Sequence, residues 1–126
     1  MKTNAFYISL ITLLLISFSC KKNQMGGKST VQGTVFHHAK RIPNAKIYIK
    51  FNSTDFPGND ASLYDIVEEA DANGDFKLNF YKGNYYLYGV GKDYGIAAPY
   101  DVVGGVSILL RTNEDKQLNI YVTEGD

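Results

Sequence analysis

Residues 71–90, DANGDFKLNFYKGNYYLYGV, decide the fold of this chain. Asn73-Gly74 is a strong turn signal because both residues tolerate a positive φ, and it predicts a tight β-hairpin turn. Apolar side chains then recur at every second position, at Phe76, Leu78 and Phe80 and, after a break at 82–84, at Tyr85, Leu87 and Gly89. A period of two is typical of a strand with one buried face, so this stretch predicts two strands that pair with each other, 75–81 and 84–91.

The same alternation extends outward from this stretch in both directions. It predicts seven strands, at residues 30–37, 45–51, 63–70, 75–81, 84–91, 102–110 and 118–122. Turn-forming residues separate them, and the glycines at 104 and 105 suggest a bulge within one strand. Seven short strands with no strong helical segment predict an all-β fold, a seven-stranded antiparallel β-sandwich.

Composition limits the function classes. The 126 residues allow one domain, and 13 basic residues balance 13 acidic ones. No block of like charge is long enough to indicate a nucleic-acid partner. The chain is rich in aromatic residues, with 10 Tyr and 7 Phe, and has one cysteine, so that an intramolecular disulfide is excluded.

The N-terminal segment is predicted to be a targeting signal and not part of the folded domain. Residues 1–19 have one early lysine and then a short apolar run, which is typical of a secretory signal peptide. The segment ends at Cys20 and resembles the lipobox of bacterial lipoproteins, which implies cleavage before Cys20 and a lipid anchor on its side chain. The alternatives are an ordinary signal peptide with a chance cysteine or an uncleaved membrane anchor. Lysine, not aspartate, follows Cys20, and lipoprotein sorting then implies the outer membrane facing the periplasm, with the cell surface as the alternative.

The polar residues 20–29 contain two glycines and no periodicity, and they predict a flexible, lipidated tether between membrane and domain. Residues 30–126 then form the domain.

Four segments of the domain resemble a known family in order along the chain. They are 31–35 (VQGTV), 42–47 (IPNAKI), 73–76 (NGDF) and 82–87 (KGNYYL). This pattern resembles the carboxypeptidase regulatory-like domain, a transthyretin-like (prealbumin-like) β-sandwich, and the resemblance implies a Greek-key arrangement of the strands. The chain departs from the family at Asn44, where glycine is frequent, and in the long loop 52–62.

The titratable residues do not predict catalysis. His37 and His38 are adjacent, so their side chains should point to opposite faces of a strand, and a solvated strand end is the simplest interpretation. No catalytic set with supporting spacing is present, and we expect no enzyme activity and no cofactor. Asp71, Asn73 and Asp75 repeat every second residue as in calcium loops, but turn chemistry also explains them.

Tyrosines on the faces opposite the predicted core are the candidate ligand-binding residues: Tyr48, Tyr81, Tyr86 and Tyr88. Outward aromatic rings serve carbohydrate stacking or protein contacts, although tyrosine also has high strand propensity. The sequence therefore favours a lipid-anchored, non-catalytic binding or assembly module of the cell envelope, with another envelope protein as partner. The alternative is a small carbohydrate-binding accessory lipoprotein that uses these tyrosines, and an enzyme of unrecognised mechanism is third.

Overall fold

A computed structural model describes residues 21–125, so that the predicted signal peptide and Cys20 lie outside the described residues. Within this range the chain is all-β, as predicted, with a single 3₁₀ turn at Ala61–Leu63. The strands are β1 (Met25–His37), β2 (Lys40–Arg41), β3 (Lys46–Phe51), β4 (Ile66–Glu69), β5 (Asp75–Phe80), β6 (Gly83–Lys92), β7 (Asp101–Leu110), β8 (Asp115–Gln117), β9 (Ile120–Tyr121) and β10 (Thr123–Glu124). None of the described residues belongs to a helix with the length and apolar character of a membrane span.

The strands form two open sheets. In the first sheet, β1 pairs with β2 and β5 in antiparallel fashion and with β8 and β9 in parallel fashion. In the second sheet the order is β10-β7-β6-β3-β4, and every neighbouring pair is antiparallel. The strands β4 and β10 are therefore the edges of the second sheet.

One hydrophobic cluster joins the inner faces of the two sheets. Its fully buried members include Val31, Val35, Phe80, Ile47, Ile49, Tyr85, Leu87, Leu110 and Ile120. The alternation in the sequence explains this arrangement, because every second side chain of β1, β3, β5 and β6 points inward. The hydroxyl of Tyr85 lies 2.6 Å from the carbonyl oxygen of Tyr81 and 3.1 Å from that of Gln24, which satisfies the one polar group of this ring.

The predicted pairing of 75–81 with 84–91 is wrong. The strand β5 pairs with β1 in the first sheet, whereas β6 pairs with β3 and β7 in the second. The Asn73-Gly74 turn does form, with Gly74 at φ +77° and its N–H donating to the carbonyl of Asp71 at 3.0 Å. It connects strands of different sheets instead of closing a hairpin, because β4 pairs with β3.

The predicted last strand, 118–122, is divided. The chain returns along β1 as β8 and β9 and then crosses to β7 in the second sheet as β10. Because β8 and β9 run parallel to β1, the expectation of a purely antiparallel arrangement of seven strands is also wrong. Between β8 and β9 the backbone hydrogen bonds to β1 are interrupted. There the side-chain oxygen of Asn119 accepts a hydrogen bond from the Thr34 N–H at 3.0 Å.

The predicted bulge at Gly104-Gly105 is absent from the β6–β7 pair, whose register is continuous from Gly83–Leu110 to Lys92–Asp101. Instead, the absence of a side chain at these two glycines allows neighbouring residues to approach β7 closely. A Cβ at Gly104 would lie 2.3 Å from the carbonyl oxygen of Tyr121, and a Cβ at Gly105 would lie 2.6 Å from the ring of Tyr86.

The strand β1 begins five residues earlier than predicted, at Met25 rather than residue 30. Residues 25–29 of the predicted tether therefore belong to the first sheet, where Met25 and Ser29 both lie opposite Phe80 across a register shift. Asn23 is also attached to the domain, since its N–H donates to the carbonyl of Lys82 at 2.8 Å and its side chain accepts from the Asn84 N–H at 3.1 Å.

Candidate functional site: an aromatic strip on the second sheet

The outer face of the first sheet is polar. Its side chains, as the strand registers place them, are Thr30, Gln32, Thr34, Asp75, Lys77, Asn79, Asp115 and Gln117. One aromatic pair lies at the end of this face, where the rings of Phe36 and Tyr121 stack with centroids 6.0 Å apart. A polar outer face is the ordinary condition of a sheet exposed to water.

The outer face of the second sheet carries five connected aromatic rings, which we call the aromatic strip: Tyr48, Phe56, Tyr64, Tyr86 and Tyr88. The ring of Tyr64 stacks almost parallel to that of Tyr88, with centroids 5.7 Å apart, and lies 5.7 Å from that of Tyr48. The ring of Phe56 lies 5.3 Å from Tyr88 and 5.8 Å from Tyr86. Contacts at these distances are typical of favourable aromatic pairs, so the rings form one packed layer.

The loop between β3 and β4 supplies two of these rings and is held by specific hydrogen bonds. The hydroxyl of Tyr64 donates to the carbonyl of Gly58 at 2.8 Å, and that of Tyr88 lies 2.9 Å from the side-chain oxygen of Asn59. Asp60 caps the 3₁₀ turn by accepting from the Ser62 N–H at 2.9 Å. The loop therefore folds over the sheet in a defined conformation.

The structure brings together three of the four predicted tyrosines. Tyr48 and Tyr86 are partly exposed, but Tyr88 is only 4% exposed, since the loop covers it, and the expectation of an outward, accessible ring is wrong there. Tyr81 lies apart from the strip, with the Lys21 ammonium 5.7 Å from its ring centroid. Phe56 was not predicted because it lies in a loop, where strand alternation gives no signal. Tyr64 was included in the predicted strand 63–70 but was not chosen as a candidate, and it lies in the loop because β4 begins only at Ile66.

Three apolar side chains of the strip and of its neighbouring segments are well exposed. Phe56 is 50% exposed, Leu63 is 43% exposed and Val67 is 49% exposed. Val67 lies directly across from Tyr48 on the edge strand β4. Contiguous exposed apolar surface is typical of interaction sites, which makes this region the candidate binding surface.

Burial of the tyrosine side chains raises the pKa of their hydroxyl groups. Burial, followed by the neighbouring Tyr88 and Tyr86, raises the pKa of Tyr64 from 10 to about 12. Burial likewise raises the pKa of Tyr86 and of Tyr88. These hydroxyls stay protonated at neutral pH, so the strip presents neutral rings and hydroxyl groups.

A second cluster lies where β1 ends, around Asp93. The carboxylate of Asp93 is 2.7 Å from His37 Nδ1, 2.5 Å from Lys40 Nζ and 2.9 Å from the Gly95 N–H. His37 is 5% exposed, so the predicted solvated strand end is wrong for this histidine, although His38 is exposed. Asp93, 56 positions along the chain from His37, is the partner that allows the ring to be buried.

The Asp93 cluster predicts a pH dependence of stability. Hydrogen bonds from Lys40, then from His37 and the Gly95 N–H, hold the pKa of Asp93 well below its ordinary value. A lowered folded-state pKa means that the carboxylate stabilises the fold above its unfolded pKa of about 4 and that this contribution is lost as the pH falls below it. We expect Asp93→Asn to lower the urea midpoint at pH 5 and the difference from wild type to shrink between pH 4 and pH 2. Exposed Asp55→Asn is the control, and an Asp93→Asn deficit that grows on acidification would contradict this assignment.

The candidate calcium residues serve the turn. One carboxylate oxygen of Asp71 accepts from the N–H groups of Asn73 at 2.8 Å and Asp75 at 3.0 Å. Asp75 accepts from Thr34 Oγ1 at 2.5 Å and from Arg41 at 2.8 Å, and the Thr34 hydrogen bond is the main cause of its lowered pKa. No group of three or more His, Cys, Asp or Glu side chains within residues 21–125 is placed to hold a metal ion. This geometry gives the calcium hypothesis no support.

No family model and no curated protein matches the chain. Solved structures similar to it include a DUF3823 family protein from Parabacteroides merdae, with 16% identity, a TM-score of 0.49 and coverage of 78% of this chain and 47% of that one. A protein from Pseudomonas aeruginosa provisionally described as carbohydrate binding has 11% identity, a TM-score of 0.54 and coverage of 79% and 91%. The major pilin subunit of Bacillus cereus has 13% identity, a TM-score of 0.50 and coverage of 78% and 30%.

These similarities concern the fold. The chain spans less than half of the Parabacteroides and Bacillus proteins. The similarity to the Pseudomonas and Bacillus proteins agrees with the all-β architecture described above.

Proposed function

We propose that this chain is a lipid-anchored, non-catalytic binding or assembly module of the bacterial cell envelope, with a transthyretin-like β-sandwich as its domain. The lipid is attached to Cys20, and the domain faces the periplasm from the outer membrane. The observation that supports a binding role is the contrast between the two outer faces. The outer face of the first sheet is polar except for Tyr121 at its end, whereas that of the second sheet carries the aromatic strip, with Phe56 exposed and with the exposed Val67 directly across from Tyr48.

The chemistry of the accessible edge favours a protein partner. Phe56, Leu63 and Val67 have no polar group in their side chains, and two of the tyrosine hydroxyls beneath them are already bonded to the loop. The edge strand β4 also has one side without a neighbouring strand among residues 21–125. An apolar patch beside a free strand edge suits a protein that covers the patch and adds main-chain hydrogen bonds to β4.

Photocrosslinking in the source cells tests the binding role. A photoreactive amino acid at position 67 should give one discrete adduct containing an envelope protein, because Val67 lies on the exposed edge of the strip. The matched control is position 77, since Lys77 is exposed on the outer face of β5 in the other sheet. The adduct from position 67 should be lost when Phe56→Ser is introduced. Equal adducts from both positions would contradict the proposal.

The anchor is tested separately. Mass analysis of the N-terminal peptide from cell membranes should find an acylated Cys20 as the first residue. A chain that retains residues 1–19, or begins elsewhere without acyl groups, would remove the lipid anchor and leave the binding role to be decided by the crosslinking.

A second candidate function is carbohydrate binding, the property for which the Pseudomonas aeruginosa protein is provisionally named. The observation that favours it is a groove of about 600 Å³ that continues from the strip and is lined by Tyr48 and Tyr94. This volume lies within the range of about 300–1,000 Å³ for small-molecule sites. The groove and the strip share Tyr48 but otherwise have different residues, so sugar binding and crosslinking from position 67 are measured separately.

A further inference from the structure

The groove next to the aromatic strip is rich in positive charge. It lies at one end of the outer face of the second sheet, where Lys46 and Tyr48 of β3 and Lys92 of β6 form its floor. Lys40 and Arg41 of β2 and Tyr94 of the following loop form its walls. Four basic side chains thus line a groove whose lining contains one carboxylate, that of Asp101. The chain as a whole has no net charge, so this is a local concentration of cations.

Ion pairs compensate three of the four cations of the groove and leave Lys46 unpaired among the described residues. Lys40 pairs with Asp93 at 2.5 Å and Arg41 with Asp75 at 2.8 Å, and neither carboxylate belongs to the lining. Lys92 pairs with Asp101 inside the groove. Lys46 is exposed and forms no ion pair within the described part of the chain. Glu69 of β4 lies directly across from Lys46, but the two side chains form no ion pair, so the Lys46 ammonium is the cation of the groove that is not already paired.

The apolar parts of the groove are tyrosine rings. Tyr94 is 76% exposed and packs at 5.1 Å against Tyr100, which supports its ring from one side. Tyr48 is partly exposed, and the Tyr64 ring supports it at 5.7 Å. Two supported aromatic rings beside a free ammonium group form an aromatic wall together with a charge-assisted hydrogen-bond donor.

We propose that this groove binds the acidic sugar residues of a uronate-containing polysaccharide. The Lys46 ammonium binds the ring carboxylate, and Tyr48 and Tyr94 contact the C–H faces of the pyranose rings. A uronate joins one carboxylate to one rigid, partly apolar ring, which matches this lining. The carboxylates of an acidic peptide lie on flexible arms and present no face to the tyrosines. The inference rests on the carbohydrate-binding candidate above and shares only Tyr48 with the aromatic strip.

Calorimetric titration of the purified chain tests the proposal, with tetragalacturonate as the probe and its fully methyl-esterified form as the neutral counterpart. We expect tetragalacturonate to bind at least tenfold more tightly than the ester, and its affinity to fall at least tenfold between 50 and 500 mM NaCl. Lys46→Gln should weaken binding at least tenfold, because it removes the carboxylate partner. Tyr94→Ala should weaken binding of both sugars by a similar factor.

Lys50→Gln is the matched control. Lys50 is on the same strand and the same outer face as Lys46, but it is outside the groove and pairs with Asp65 at 3.6 Å. Its replacement should leave tetragalacturonate binding unchanged. An equal effect of Lys46→Gln and Lys50→Gln would overturn the assignment of the site.

The remaining outcomes show whether the preference for acidic sugars fails alone or carbohydrate binding fails with it. Equal binding of the acid and its methyl ester would overturn the acidic specificity and leave carbohydrate binding standing. Equal binding of an octaglutamate peptide would overturn the preference for sugars over acidic peptides. No binding of either sugar at millimolar concentration would overturn both the inference and the carbohydrate-binding candidate, while the crosslinking from position 67 would still decide the protein-binding role.

Discussion

Replacement of Tyr85 by alanine is expected to lower the free energy of unfolding by about 4 kcal/mol, the usual cost of truncating a buried aromatic ring. Tyr85 is completely buried, and its ring lies 4.5 Å from that of Phe80 and 6.0 Å, edge-on, from that of Phe51. Phe80 belongs to the first sheet and Tyr85 to the second, so the cavity would open between the sheets. A domain of this size has a total stability of about 5–15 kcal/mol, so the variant should be close to unfolding.

Equilibrium urea unfolding followed by circular dichroism measures this loss. Tyr85→Phe is the control, because it keeps the ring and removes only the hydroxyl bonded to the Tyr81 and Gln24 carbonyls. Its expected cost is about 1–2 kcal/mol. A loss below about 1 kcal/mol for Tyr85→Ala would place this side chain outside the core and contradict the packing of the two sheets.

The second large effect is expected for Gly33→Ala, at about 3 kcal/mol, because the added methyl group has no space. A Cβ at Gly33 would lie 1.7 Å from the carbonyl oxygen of Leu118 and 2.5 Å from its carbon, and both are backbone atoms that cannot rotate away. Accommodation requires the returning segment between β8 and β9 to move away from β1. The substitution therefore tests the parallel pairing along β1.

Gly125→Ala is the matched control for this substitution. A Cβ there would lie 3.7 Å from Val103, an ordinary contact, and the expected change is within about 0.5 kcal/mol. The same urea titration serves both variants. If Gly33→Ala unfolded at the wild-type midpoint, the close approach of Leu118 to β1 would be incorrect.

Local alternation predicted most strands and which side chains they bury, but it could not predict their partners. Phe76, Phe80 and Tyr85 face the core as the pattern indicated. The partner of a strand depends on the whole set of competing pairings, and a turn such as Asn73-Gly74 fixes a change of direction without fixing the sheet that the chain enters next. The break at 82–84 likewise did not fix the partner of either strand, and the hairpin expected from 75–81 and 84–91 is a crossing between sheets.

The C-terminal strands show a second reason for failure. Leu118 and Ile120 suggested one continuous strand, but the side chain of Asn119 replaces a backbone partner of Thr34 and interrupts the ladder. This hydrogen bond joins Thr34 and Asn119, which are 85 positions apart in the chain. A contact between residues so far apart cannot be read from the local sequence pattern.

The candidate site was predictable where it lies on strands. Tyr48, Tyr86 and Tyr88 were placed correctly on the outer face of the second sheet by their period of two. Their accessibility was not predictable, because the loop that carries Phe56 and Tyr64 covers them through long-range contacts. Burial of His37 depends in the same way on a distant partner, Asp93.

If the outer face of the second sheet meets a partner while that of the first sheet faces water, the two faces should differ in crosslinking. The yield of photocrosslinked adduct in living cells from position 67 is to be compared with that from position 77. We expect a discrete envelope-protein adduct from position 67 and none from position 77. Adducts of equal yield from both positions, or an adduct from position 77 alone, would contradict this expectation.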